Sequence, residues 1–193
     1  MKRLASVLAF AFTIGLSSPA WSLGGIGVKG GTGFSIYVAE DDLGDDYVAP
    51  NITPMVFGVT WTLGLLLAEV EVDLFYMRTT TSGGTPSVSK STAGHLALPA
   101  IAKVQMPVIP ALVGLQFGAG LEMRYALDPR KAAEGVPGEK STVYYLPIVL
   151  GADLDAMVAR ATAELRYEHQ LTDHVEGSGD RIHQLLFLVG GSL

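Results

Sequence analysis

The feature that most constrains this chain is a two-residue alternation of apolar and polar side chains, repeated in segment after segment from Gly25 to the end. Alternation at period two is the mark of a strand with two different faces. It is clearest where Leu66, Ala68, Val70, Val72, Leu74 and Tyr76 interleave with Glu69, Glu71 and Asp73. Seven further segments follow the same rule, spanning about Gly25–Val38, Thr53–Leu63, His95–Met106, Leu112–Tyr125, Thr142–Leu154, Ala156–Leu171 and Ile182–Leu193. The segment from Thr142 is less regular, with Tyr144, Leu146, Ile148 and Leu150 on one face and Tyr145, Pro147, Val149 and Gly151 on the other.

The connections also alternate. Ala39–Ile52, Thr79–Ala93, Ala126–Ser141 and Thr172–Arg181 are long, polar and rich in Gly, Pro, Asp and Ser. The turns near Gly64, Pro107–Pro110 and Asp153–Asp155 are tight. An even number of antiparallel strands, short turns at one end and long loops at the other are the pattern of an outer-membrane barrel. The expected fold is therefore all-β: an eight-stranded antiparallel transmembrane β-barrel, an up-and-down meander over residues 23–193, with both barrel termini on the periplasmic side.

Ahead of it stands a segment of another kind. Lys2 and Arg3 precede the apolar run Leu4–Leu16, and Ala20-Trp21-Ser22 offers a small-residue cleavage site. This reads as a secretory signal peptide, residues 1–22. No other stretch is apolar enough for a helical span of about 20 residues. The signal takes two of the 13 basic residues, leaving 11 against 19 acidic ones, a net charge of −8. Such a surface disfavours nucleic acid, which needs clustered Lys and Arg. The chain has no cysteine, so it has neither disulfides nor thiolate metal ligands.

Alternation does not by itself distinguish a membrane barrel from a soluble lipocalin-like one, which buries its apolar face. Glycine does. The polar face carries Gly27, Gly31, Gly33, Gly58, Gly114, Gly118, Gly120 and Gly151. A solvated strand loses stability with glycine, whereas the lumen of an eight-stranded barrel is only just wide enough for side chains to fill. The charges on that face nearly balance: Lys29, Lys103, Arg124, Arg160 and Arg166 against Glu69, Glu71, Asp73, Glu122, Glu164 and Glu168. Buried charges need partners, and these eleven residues form the candidate lumen network. Tyr37, Trp61, Tyr76, Tyr125, Tyr144, Tyr145 and Tyr167 suit interfacial girdles near strand ends.

The Leu96-Ala97-Leu98-Pro99 strand opening with Lys103, the Gly114/Gly118/Gly120 strand and the Glu164-Leu165-Arg166-Tyr167 segment give the chain its likeness to known proteins. It resembles the eight-stranded outer-membrane β-barrel families of the OmpA/OmpX-like and porin-like type, over about Leu23–Leu193. The resemblance implies a Gram-negative outer membrane as the location, with its lipids and the barrel assembly machinery as partners. Those families usually end in an aromatic residue; this chain ends in Leu193.

Chemistry on the barrel has two readings at each candidate. The Glu69/Glu71/Asp73 row suits a divalent cation or internal ion pairs, and a position of Glu69 opposite Lys103 favours pairs that fill the lumen. The loop Glu40-Asp41-Asp42-Leu43-Gly44-Asp45-Asp46 offers oxygens to calcium but lacks the spacing of an EF-hand. His95, His169, His174 and His183 lie near loop ends, with Ser87, Ser89, Ser91 and Ser178 in loops, and no spacing matches a nucleophile elbow or triad. The expectation is a non-enzymatic barrel without cofactor or metal site, structural or binding a surface-loop partner whose identity stays open. A narrow small-solute channel is the alternative, followed by a lipid-modifying enzyme.

Overall fold

In a computed structural model, eight strands close into one antiparallel barrel, β1 (Gly25–Glu40), β2 (Asp46–Leu65), β3 (Ala68–Thr81), β4 (Ser91–Ile109), β5 (Val113–Ala126), β6 (Thr142–Ala156), β7 (Ala159–Gln170) and β8 (Arg181–Ser192). Each strand pairs with its chain neighbours, and β1 closes on β8, with Gly27 beside Ser192 and Val38 beside Arg181. The structure describes residues 25–40, 46–65, 68–81, 91–109, 112–127, 129, 140–156, 159–173 and 181–193. The signal segment 1–22, most of the acidic loop, Ser87, Ser89, Ser178 and His174 lie outside these residues.

The strands follow the alternation but run further than it. The long connections expected at 39–52 and 79–93 shorten to 41–45 and 82–90, because Glu40 pairs with Asp46 and Thr81 with Ser91. Backbone pairing needs no apolar face, and Thr79, Thr80, Thr81 and Thr92 are β-branched residues that favour strands. The tight turn expected at Asp153–Asp155 is not formed there, since both aspartates lie inside β6, which runs on to Ala156. Aspartate is a common turn residue, but here pairing with β7 extends to Ala156 beside Ala159. Proline interrupts two ladders locally. The β3–β4 register passes from Val72/Ala100 to Phe75/Ala97 around Pro99, and the β5–β6 register from Ala119/Ile148 to Glu122/Tyr145 around Pro147. Neither proline has an N–H to give.

The two faces divide the chemistry. Val28, Phe57, Val59, Leu74, Val104, Phe117, Leu121, Ile148, Phe187 and Val189 are exposed on the outer wall. Lys29, Glu71, Asp73, Lys103, Glu122, Arg124, Glu164, Arg166 and Glu168 are buried inside. This inverts the usual soluble arrangement. Part of the lumen is nonetheless apolar: Val56, Phe75, Met77, Ala97, Leu186 and Leu188 pack together from β2, β3, β4 and β8.

Candidate functional site

Eight strands point their alternate side chains at one axis, so residues far apart in sequence meet at the centre. The hub is a square of four groups. Lys29 Nζ lies 2.6 Å from Glu71 and 2.6 Å from Glu164, and Lys103 Nζ lies 2.6 Å from Glu71 and 2.5 Å from Glu164. Arg166 caps the square: its Nη2 donates to Asp73 Oδ2 at 2.9 Å, Glu164 Oε2 at 3.0 Å and Glu71 Oε1 at 3.2 Å. Three cations and three carboxylates thus form a neutral cluster. On its other side the Arg166 guanidinium lies 5.3 Å from the centre of the Phe75 ring, at the edge of the apolar part of the lumen.

Glycine makes this hub possible. Gly118 pairs with Lys103 and Gly190 with Lys29. A Cβ on Gly118 would stand 2.7 Å from Lys103 Cγ, and one on Gly190 2.6 Å from Lys29 Cγ. Gly151, beside Glu164, would bring its Cβ 3.2 Å from Glu164 Cγ. Three of the four long side chains in the square therefore lay their stems over a registered glycine. That accounts physically for part of the glycine on the polar face.

Two smaller groups flank the hub. Arg124 donates from Nε to Glu122 Oε1 at 2.9 Å, from Nη2 to Glu168 Oε2 at 2.6 Å and from Nη1 to Gln184 Oε1 at 2.6 Å. Its guanidinium lies over the Tyr145 ring, 4.1 Å from the centroid. Tyr145 is thus a buried lumen residue and not part of a girdle, whereas Tyr125, Tyr144 and Tyr167 are exposed on the outer wall. At the end of the barrel where β1 begins and β8 ends, Arg160 joins Glu69 at 2.8 Å and Asp155 at 2.8 Å, and Gln105 donates to Glu69 at 2.8 Å.

All eleven candidate residues line the lumen, in three groups. Glu69 does sit opposite Lys103 in the β3–β4 register. Their ion pairs go elsewhere, Lys103 to Glu71 and Glu164 and Glu69 to Arg160, because a lysine stem reaches the axis past its strand neighbour. Sequence reasoning missed Asp153, which is buried and accepts a hydrogen bond from Gln116. It also missed Asp155, Gln184 and the Tyr145 platform. Parity along β6 is the available signal for Asp153 and Tyr145, since both share a face with Pro147 and Val149.

His95 faces the lumen near Thr79, while His169 and His183 face outward. Among the described residues no cluster of three or more His, Cys, Asp or Glu side chains has the geometry of a metal site.

Neither a family profile nor a curated relative matches the sequence. Solved structures do. Neisserial surface protein A is similar at 17% identity and a TM-score of 0.52, over 86% of this chain and 95% of that one. The N-terminal β-barrel domain of Pseudomonas aeruginosa OprF gives 13% identity and a TM-score of 0.40, over 88% and 98%. Ail, the attachment invasion locus protein of Yersinia pestis, gives 11% identity and a TM-score of 0.43, over 88% and 97%. The likeness to the Neisserial protein establishes the barrel fold that the sequence resemblance implies.

Proposed function

We propose that this chain is a bacterial outer-membrane barrel with a filled lumen, serving as a scaffold that presents the connections 41–45, 82–90, 127–141 and 171–180 at the cell surface. The inside-out distribution of chemistry carries this reading. Apolar side chains exposed around a closed barrel suit hydrocarbon, where an open sheet edge is not tolerated and a closed ladder is. In water the same wall would be an apolar patch far larger than a monomer carries. The lumen side supports the rest. Lys103, Arg166 and Glu168 are essentially inaccessible and joined across the axis, so the interior resembles a packed polar core more than a channel. Export through the signal segment and both barrel termini on the periplasmic side complete the proposal, with insertion by the barrel assembly machinery. The role is non-catalytic, and the surface connections bind whatever partner the barrel has.

The test has two arms. Membrane fractions of cells expressing the chain should show a band whose gel migration changes on heating, as a closed barrel in the outer membrane gives. In planar bilayers the purified protein should show no large stable steps. A soluble, heat-insensitive protein refutes the location, and porin-size conductance refutes the filled lumen. A lipid A extract of unchanged mass on expression is the expected result for the non-catalytic role.

A further inference from the structure

Among the described residues, the outer wall carries a polar constellation that the scaffold role does not use. His169 and His183 are the last registered pair of the β7–β8 hairpin, on the outward face where the connection 171–180 leaves the barrel. Their Nδ1 atoms lie 3.2 Å apart, and the Tyr167 hydroxyl lies 2.7 Å from His183 Nδ1. The imidazoles are half-buried, with ring centroids 4.9 Å apart, and the Tyr167 ring stacks on His183 at 6.0 Å. His183 Nδ1 therefore has two heteroatoms close to it at the rim of an apolar wall.

A hydrogen-bonding account serves this convergence poorly. A neutral imidazole Nδ1 has either one proton or one lone pair in the ring plane. His183 Nδ1 thus makes one good bond, to Tyr167 or to His169, and not two. A cation bound by the two imidazoles removes that competition. Donors about 2.0 Å from a shared metal stand about 2.8 Å apart at a right angle and about 3.3 Å apart at the tetrahedral angle. The observed separations of 2.7 and 3.2 Å fall close to those two edges.

We propose that His169 and His183, with Tyr167 beside them, form a surface chelate for a late first-row divalent cation. Two imidazoles suit Cu2+, Ni2+ and Zn2+, and the general order of affinities puts Cu2+ first. The pairing across two adjacent strands holds both rings at fixed spacing before any ion arrives. Each bound imidazole keeps its one proton on Nε2, so a neutral pair takes up the ion by a change of tautomer. No sequence spacing announces this pair, because the 171–180 connection separates the two histidines and only strand register brings them together.

The experiment uses the full folded chain in detergent micelles, titrated with Cu2+ and followed by electron paramagnetic resonance and chelator competition. One equivalent should bind with the nitrogen splitting of two imidazoles. His169→Gln and His183→Gln, each checked for the heat-modifiable band, should each weaken binding at least tenfold. His95→Gln, on the lumen face, should stay within twofold of the parent. A spectrum without two imidazole nitrogens, undiminished affinity in both rim variants, or a loss seen only in His174→Gln overturns the proposal.

Discussion

Replacing Arg166 by methionine tests whether the lumen is held by paired charges. Arg166 is fully buried and its Nη2 serves Asp73, Glu71 and Glu164 at 2.9–3.2 Å. Methionine keeps much of the volume and removes the cation. The neutral hub then carries one excess negative charge, and buried Asp73 loses its ion pair to Arg166. Breaking a buried pair by removing one partner costs about 3–5 kcal/mol. With a urea slope of about 2 kcal/mol per molar, the unfolding midpoint should fall by about 1.5–2.5 M. The assay is urea unfolding in lipid vesicles, followed by tryptophan fluorescence and the heat-modifiable band. Asp73→Asn in the same chain restores neutrality, and replacing a whole buried pair by less polar groups is often close to neutral. The double variant should therefore recover at least half of the lost midpoint. A single variant within about 0.5 kcal/mol of the parent, the usual range for a surface change, refutes the reasoning. So does a double variant no more stable than the single.

Gly118→Val forces its branched side chain against Lys103 Cγ and Ala102 O, 2.7 and 2.8 Å from the new Cβ, and overpacking should cost about 1–3 kcal/mol in the urea assay. In Gly30→Ala the new Cβ meets nothing nearer than 3.5 Å, and the midpoint should stay close to the parent's. Leu121→Arg places a charge on the outer wall where Leu121 is 60% exposed; in lipid this should cost about 2–4 kcal/mol, and an unchanged midpoint argues for a barrel surrounded by water. Lys103→Ala with Glu164→Ala removes two of the four groups that meet at the axis, and planar-bilayer recording should show small steps that the parent lacks.

How much of the fold is legible in the sequence depends on how local the cause is. The strand faces follow from a period of two residues, which needs only neighbours. The lumen side follows from glycine, which weakens a solvated strand but makes room inside a narrow barrel. Strand ends are harder. Thr79–Thr81 and Asp46 look like loop by polarity, yet they pair, because a ladder continues wherever backbone partners remain in register. Asp153 and Asp155 show the same conflict at the other end of the barrel: local turn chemistry points to a turn, and pairing with β7 carries β6 on to Ala156. Tyr145 is hard to place because β6 is apolar on both faces, so alternation has little contrast there.

The pairing inside the lumen is the least legible, and the reason is geometric. On a flat sheet Glu69 and Lys103 would be natural partners, since directly opposed side chains are close neighbours. In a narrow closed barrel the axis is as near as the adjacent strand, and a long side chain reaches it. Lys29 therefore meets Glu164 from β7 as closely as it meets Glu71 from β3. Which of several acids a lysine finds is then set by where glycine leaves room for its stem, Gly118 under Lys103 and Gly190 under Lys29. The residues that look least informative in the sequence thus decide the contacts of the most informative ones, and assigning charges by strand neighbourhood alone pairs them wrongly even when the register is right.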